Sequence, residues 1–178
     1  FQKLGKFESA IEFYIKSIKI NPSYPSSHNN LGNLYNEIEE YEKAINCFEN
    51  AFQIKPDYWE AYFSHGFSQE KLGRIRESIE SYKKVLEHKP NFADLHNNIA
   101  ILYHRIKDID TAIRHFRKAL AINANFAEAN LNLGNIYKDI GSVDLARTFI
   151  KKAIQNKSDY AEAYFSLGVL EMEFGDLN

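Results

Sequence analysis

The aromatic residues Tyr24, Tyr58, Phe92, Phe126 and Tyr160 recur at a constant spacing of 34 residues. No other feature of the chain constrains its fold so tightly. Four further columns keep the register. Ala10, Ala44, Ser78, Ala112 and Ala146 form one, and Tyr14, Phe48, Tyr82, Phe116 and Ile150 another. Gly32, Gly66, Ala100, Gly134 and Gly168 admit only small residues, while Pro22, Pro56 and Pro90 give way to Ala124 and Ser158. Such a period is one supersecondary unit written several times. Units of this kind stack, because one alone cannot hide its apolar side.

Within a unit the apolar spacing is helical. Tyr62, His65, Gly66, Gln69 and Leu72 follow at steps of three and four, and His96, Ile99, Ala100, Tyr103 and Ile106 repeat the set. A second helix carries Ala112, Ile113, Phe116, Ala119 and Leu120 on its apolar side. Gly73 and Gly141 fall between the two helices, where a residue that accepts positive φ ends a helix cheaply. Asp57 with Glu60, Asn125 with Glu128 and Asp159 with Glu162 have the spacing of an N-cap and its acidic partner. Pro56 and Pro90 precede these starts and help to stop the helix before them.

The stretch LGNLYNEIEEYEKAINCFENAFQIKPDY, residues 31–58, has Leu31, Gly32, Tyr35, Tyr41, Ala44, Phe48, Ala51 and Pro56 at fixed places. In these positions the chain resembles the tetratricopeptide repeat (TPR) family along its whole length. The resemblance implies an all-α fold, a right-handed superhelical solenoid of antiparallel helix pairs. A single array over 1–178 is expected, with full repeats at 25–58, 59–92, 93–126 and 127–160. Residues 1–24 read as the back half of an earlier repeat and 161–178 as the front half of a later one, as in a piece of a longer array. The 59–92 repeat is the least regular, with His65 where Leu is usual and Gln69 where Tyr is usual.

Composition narrows the function classes. A net charge of −2, with 26% charged residues, suggests neither a nucleic-acid partner nor an acidic tail. No apolar run reaches the length of a membrane span, and no signal-peptide pattern is present. Cys47 is the only cysteine, which fits a reducing, cytoplasmic setting. Phosphate-loop, nucleophile-elbow and carboxylate-pair spacings are missing from the sequence, so the chain itself reads as no enzyme. No cofactor or metal is expected.

The two helices of a unit differ on their outward sides. Second helices are charged there, at Lys83, Lys84, Arg117, Lys118, Lys151 and Lys152. These read as a solvated face, with lysines late in a helix where cations suit its dipole. First helices are largely uncharged opposite their packing stripe. Asn29, Asn30 and Asn33 begin the series, followed by Phe63, Ser64 and Phe67, then Asn97, Asn98 and Ile101. Leu131, Asn132 and Asn135 continue it, and Phe165, Ser166 and Val169 close it. All lie at i, i+1 and i+4, on one strip of a helix. The family resemblance implies that this strip lines the inside of the superhelix.

A carboxamide both donates and accepts, so a row at Asn30, Ser64, Asn98, Asn132 and Ser166 matches an extended peptide backbone without reading its side chains. Phe63 and Phe67 add an apolar anchor. The array resembles the repeat region of O-linked N-acetylglucosamine transferases, where an asparagine ladder at this column holds substrate peptides; Ser64 and Ser166 interrupt the ladder here. The same residues also admit a plain hydrophilic lining. His65 and Gln69 read as a mutually satisfied polar pair, His28 and His96 as packing residues in the column of Tyr62 and Tyr164, and Cys47 as a small filler.

The leading expectation is a non-catalytic protein-interaction scaffold taking an extended peptide or a partner helix in a concave groove. A chaperone-tail adaptor needs basic residues on the strip to clamp a terminal carboxylate. None is there, and Glu60, Asp94, Glu128 and Glu162 stand at the helix starts instead. One alternative is the substrate-recruiting region of a larger glycosyltransferase-like enzyme. Another is a structural array that self-associates end to end through apolar faces at Leu4 and Leu170.

Overall fold

The computed structural model describes residues 2–175, and the side chains from residue 7 onward. Leu4 and Gly5 therefore lie outside the described side chains. The described residues form ten helices: α1 (Gln2–Ile20), α2 (Pro25–Glu37), α3 (Tyr41–Ile54), α4 (Trp59–Lys71), α5 (Ile75–His88), α6 (Ala93–Arg105), α7 (Ile109–Ile122), α8 (Ala127–Asp139), α9 (Val143–Asn156) and α10 (Ala161–Phe174). They contain no strand. The architecture is all-α, built of antiparallel helix pairs.

The chain divides into two compact units, Phe1–Pro90 with α1 to α5 and Asn91–Asn178 with α6 to α10. In the first, α2 pairs with α3 and α4 with α5, while α1 packs on α2 and α3 on α4. Its centre is Ala44, Phe48, Ala51 and Ala61, with Tyr35, Phe52 and Tyr58 around them. In the second, α6 pairs with α7 and α8 with α9, while α7 packs on α8 and α9 on α10. A larger apolar cluster holds it, including Phe116, Leu133, Ile136, Ile150 and Leu170. Leu170 is fully buried, which removes it from the exposed end face expected above. Its column in the other first helices holds Leu34, Ser68, Leu102 and Ile136, and that column faces inward.

Each pair closes where a small residue meets a large one. A Cβ added to Gly66 would stand 2.6 Å from a carbon of the buried Tyr82 ring, and one on Gly32 2.6 Å from the Phe48 ring. The turn inside each pair uses a left-handed residue. Gly73 (φ 75°) and Gly141 (φ 76°) fill that place in two pairs, and Glu39 (φ 62°) and Lys107 (φ 65°) in the other two.

The capping expectation needs correction. The N-caps of α4, α8 and α10 are Tyr58, Phe126 and Tyr160, and none makes a side-chain cap bond. The aromatic ring is held by packing, so the N-cap place belongs to the repeated spacing of the core and not to a polar side chain. Asp108 does cap α7, accepting from the Thr111 amide at 3.1 Å. Turns between repeats are fastened differently. His28 Nε2 donates to the Pro22 carbonyl at 2.9 Å, and Asn130 Nδ2, in the same column, to that of Ala124 at 3.4 Å. Lys55 and Lys157 lie over the rings of Tyr58 and Tyr160, at 5.1 and 4.7 Å.

Candidate functional site

Helix geometry puts the i and i+1 positions of the strip about 100° apart, so both cannot face the same way. The structure separates them. Asn29 and Asn97, expected on the open face, are both only 6% exposed. Leu131, in their column, is buried too. That edge of the helix turns under its neighbour: Asn97 Oδ1 accepts a hydrogen bond from Asn132 Nδ2 of α8 at 3.3 Å. Asn29 Oδ1 is buried and has no hydrogen-bond partner among the described residues.

The i+1 and i+4 positions stay accessible. In the first unit Asn30, Asn33 and Phe67 are exposed and Ser64 half-buried. In the second, Asn98, Ile101, Asn132, Asn135 and Ser166 are half-buried, each keeping part of its side chain in solvent. Phe165 is exposed. The two phenylalanines of α4 part company. Phe63 tilts against Tyr82 of α5, centroids 5.8 Å apart, and is half-buried. Phe67 is 39% exposed, meets the edge of Tyr41 at 6.5 Å and lies under the Lys71 ammonium at 5.2 Å. The sequence places Tyr41 only in the family pattern, because its column holds Phe7, Ile75, Ile109 and Val143 and looks like plain packing.

One turn before the amide row stand Asp94, Glu128 and Glu162, all exposed. The carboxylates of Glu162 and Glu128 both act on the Tyr160 hydroxyl, whose pKa is pushed up to about 12, first by burial and then by these charges. The strip in the second unit thus runs from carboxylates to carboxamides.

The polar pair of α4 also differs from expectation. His65 Nδ1 lies 2.7 Å from Ser81 Oγ on α5, while Gln69 Nε2 approaches Nε2 of the ring at 3.4 Å. Gln69 Oε1 is buried without a hydrogen-bond partner among the described residues. Nearby, Ser68 is buried in a column otherwise filled by Leu or Ile, and its hydroxyl donates to Asn36 Oδ1 at 2.7 Å. Burial pushes the Cys47 thiol up to about 11, which keeps it a packing group at neutral pH. His96 and His115 bring their Nδ1 atoms to 3.1 Å, so one ring donates and the other accepts. Among the described residues no group of three or more His, Cys, Asp or Glu could hold a metal ion.

Solved structures share the fold. The crystal structure of MamA is 24% identical, with 90% of this chain and 94% of that chain covered and a TM-score of 0.83. MamA from Desulfovibrio magneticus RS-1 is 14% identical, with 90% of each chain covered and a TM-score of 0.80. YrrB, described as a TPR protein with an unusual peptide-binding site, is 20% identical over 90% of this chain and 82% of that chain, with a TM-score of 0.76. No curated protein matches the sequence. Residues 1–38 and 70–107 match the family described as TPR repeat, while 25–58 and 93–126, and separately 127–160, match two described as tetratricopeptide repeat. With the 34-residue register, the paired helices and these matches, the chain belongs to the tetratricopeptide repeat family.

Proposed function

We propose that this chain is a non-catalytic protein-interaction scaffold whose first helices bind an extended polypeptide through its backbone. One observation carries the reading. The accessible amides Asn98 and Asn132 hold the same place on successive first helices, and Asn132 is anchored by its bond to Asn97. An amide held in this way presents its free atoms in a fixed direction, which lowers the entropy lost on binding. Asn30 and Ser64 hold the same place in the first unit. Phe67, backed by Tyr41 and Lys71, supplies an apolar contact beside them. That YrrB is described by its peptide-binding site is consistent with the reading.

The test begins with peptides selected from a displayed random library on the wild-type chain. Their affinity is then measured for the combined variant Asn98→Ala, Asn132→Ala. Two lost backbone hydrogen bonds at about 1 kcal/mol each predict a loss of about 30-fold. Unchanged affinity in a variant of native helical content rejects the amide row as the contact surface.

A further inference from the structure

Within the second unit, the end of α7, the start of α8 and the last turns of α9 surround a pocket of about 340 Å³. Sites for small molecules begin at roughly 300 Å³. The repeat register shows what this space lacks. In α3 and α4 the same two columns hold Phe52 and Tyr62, whose rings stack at 4.3 Å with 5° between their planes. Here those columns hold Leu120 and Asn130. A carboxamide stands where the earlier pair has a ring, and the room of that ring is left open between Leu120 and Phe149.

Two side chains give the space its chemistry. Asn130 is 1% exposed, and its Nδ2 donates to the carbonyls of Ala124 and Phe126 at 3.4 and 3.0 Å. These two acceptors fix which way the amide points. Its Oδ1, at the other end, accepts no hydrogen bond among the described residues. Lys152 is exposed at the mouth, with its ammonium 5.3 Å from the centre of the Phe149 ring. It is the one charged residue that lines the pocket among the described residues. Lys84, in the same column, pairs with Glu87 at 2.9 Å, but Gln155 takes the place of Glu87 here. No carboxylate pairs with Lys152 among the described residues.

We infer that this pocket binds a small aromatic acid. The flat ring enters between Leu120 and Phe149, an N–H or O–H on its inner edge donates to Asn130 Oδ1, and its carboxylate meets Lys152 at the mouth. The ring is specified by the Phe52–Tyr62 stack of the equivalent place in the first unit. The donor is specified by the bare oxygen, since a buried acceptor that a plain hydrocarbon covers stays unpaired at a cost. The acid is specified by the lysine that lacks a partner. All three features lie away from the accessible amides Asn98 and Asn132, so the inference does not depend on the peptide reading.

The experiment is isothermal titration calorimetry on the 178-residue chain with indole-3-acetate as the probe. One-to-one binding is expected. 3-Methylindole, which lacks the acid, and benzofuran-3-acetate, which lacks the N–H, should each bind about tenfold more weakly, the usual effect of one charged or buried hydrogen bond. Lys152→Gln, on an exposed position, should weaken indole-3-acetate to the level of 3-methylindole and leave 3-methylindole unchanged. Asn130→Tyr rebuilds the ring that its column holds at Tyr62 and should abolish binding with native helical content. If that variant loses helical signal, Leu120→Trp fills the same space from α7. Asn98→Ala should bind the probe as the wild type does. A wild type that takes up no probe, analogues that bind as well as indole-3-acetate, a Lys152→Gln variant that still prefers the acid, or a folded pocket-filling variant with unchanged affinity would each overturn the inference.

Discussion

His65 Nδ1 and Ser81 Oγ lie 2.7 Å apart, and the Ser81 hydroxyl also donates to the Glu77 carbonyl at 3.0 Å. The one hydroxyl proton is thereby used, so the imidazole donates from Nδ1. Its Nε2 then accepts from the Gln69 amide. This bonding suits a neutral ring. A proton on Nε2 would turn that acceptor into a donor and place a charge among Phe52, Gln69 and Ser81.

A pH dependence follows. Burial lowers the pKa of His65 from 6.5 to about 4. Between these values the unfolded chain binds the proton and the folded chain does not. The neutral ring therefore costs nothing above about pH 6.5, and stability falls as pH drops from there toward about 4. Each pH unit is worth at most about 1.4 kcal/mol, less what Glu49, 3.9 Å from Nε2, returns to a protonated ring. Urea midpoints across this window should fall more steeply for the wild type than for His65→Leu. Parallel curves would refute the assignment.

Gly134→Ala should destabilise the second unit by about 1–3 kcal/mol, the usual cost of overpacking. The added methyl would meet Ile150 Cγ1 at 2.7 Å and, at 3.1 and 3.2 Å, the Ile150 nitrogen and the Ala146 carbonyl, which are backbone atoms that do not rotate away. Chemical denaturation measures the loss. A stability equal to wild type would show that α8 and α9 can separate locally.

Glu39→Gly and Lys107→Gly should each stabilise the chain by about 0.5–1 kcal/mol. Both residues sit at positive φ in the turn where Gly73 and Gly141 sit in other pairs. Relief of a left-handed side chain, about 1–2 kcal/mol, outweighs the extra freedom glycine gives the unfolded chain. Melting temperature is the readout, and a decrease would contradict the expectation.

Asn29→Leu should raise stability by about 1 kcal/mol and leave peptide affinity unchanged. It removes a buried oxygen that has no partner among the described residues, and Leu131 already fills this column in α8. Asn98→Ala should instead weaken peptide binding with little change in folding. Stability and affinity measured on both variants check the division of the strip. A loss of affinity in Asn29→Leu would return the buried column to the binding face.

Much of the fold is legible in the residues. Columns of small, aromatic and alanine residues mark which faces cross, and Gly73 and Gly141 mark where the chain turns. The caps were misplaced by one residue, because Asp57, Asn125 and Asp159 carry the usual polar signal while the cap place belongs to Tyr58, Phe126 and Tyr160. Ser68 and Gln69 show the same weakness on a smaller scale. Their polarity is plain in the sequence, but only the packed helices supply Asn36 for Ser68 and leave one oxygen of Gln69 unmatched.

The sequence by itself determined the repeat, the helix pairing and the uncharged character of the first-helix strip, since each depends on residue type and on spacing along one helix. The tertiary structure decided which edge of that strip stays open. Asn97 and Asn98 are the same amino acid one step apart, yet the first is buried beneath α8 and the second reaches solvent. Rotation of a helix about its own axis settles that difference, and the rotation is fixed by how neighbouring helices interlock, which no single helix encodes.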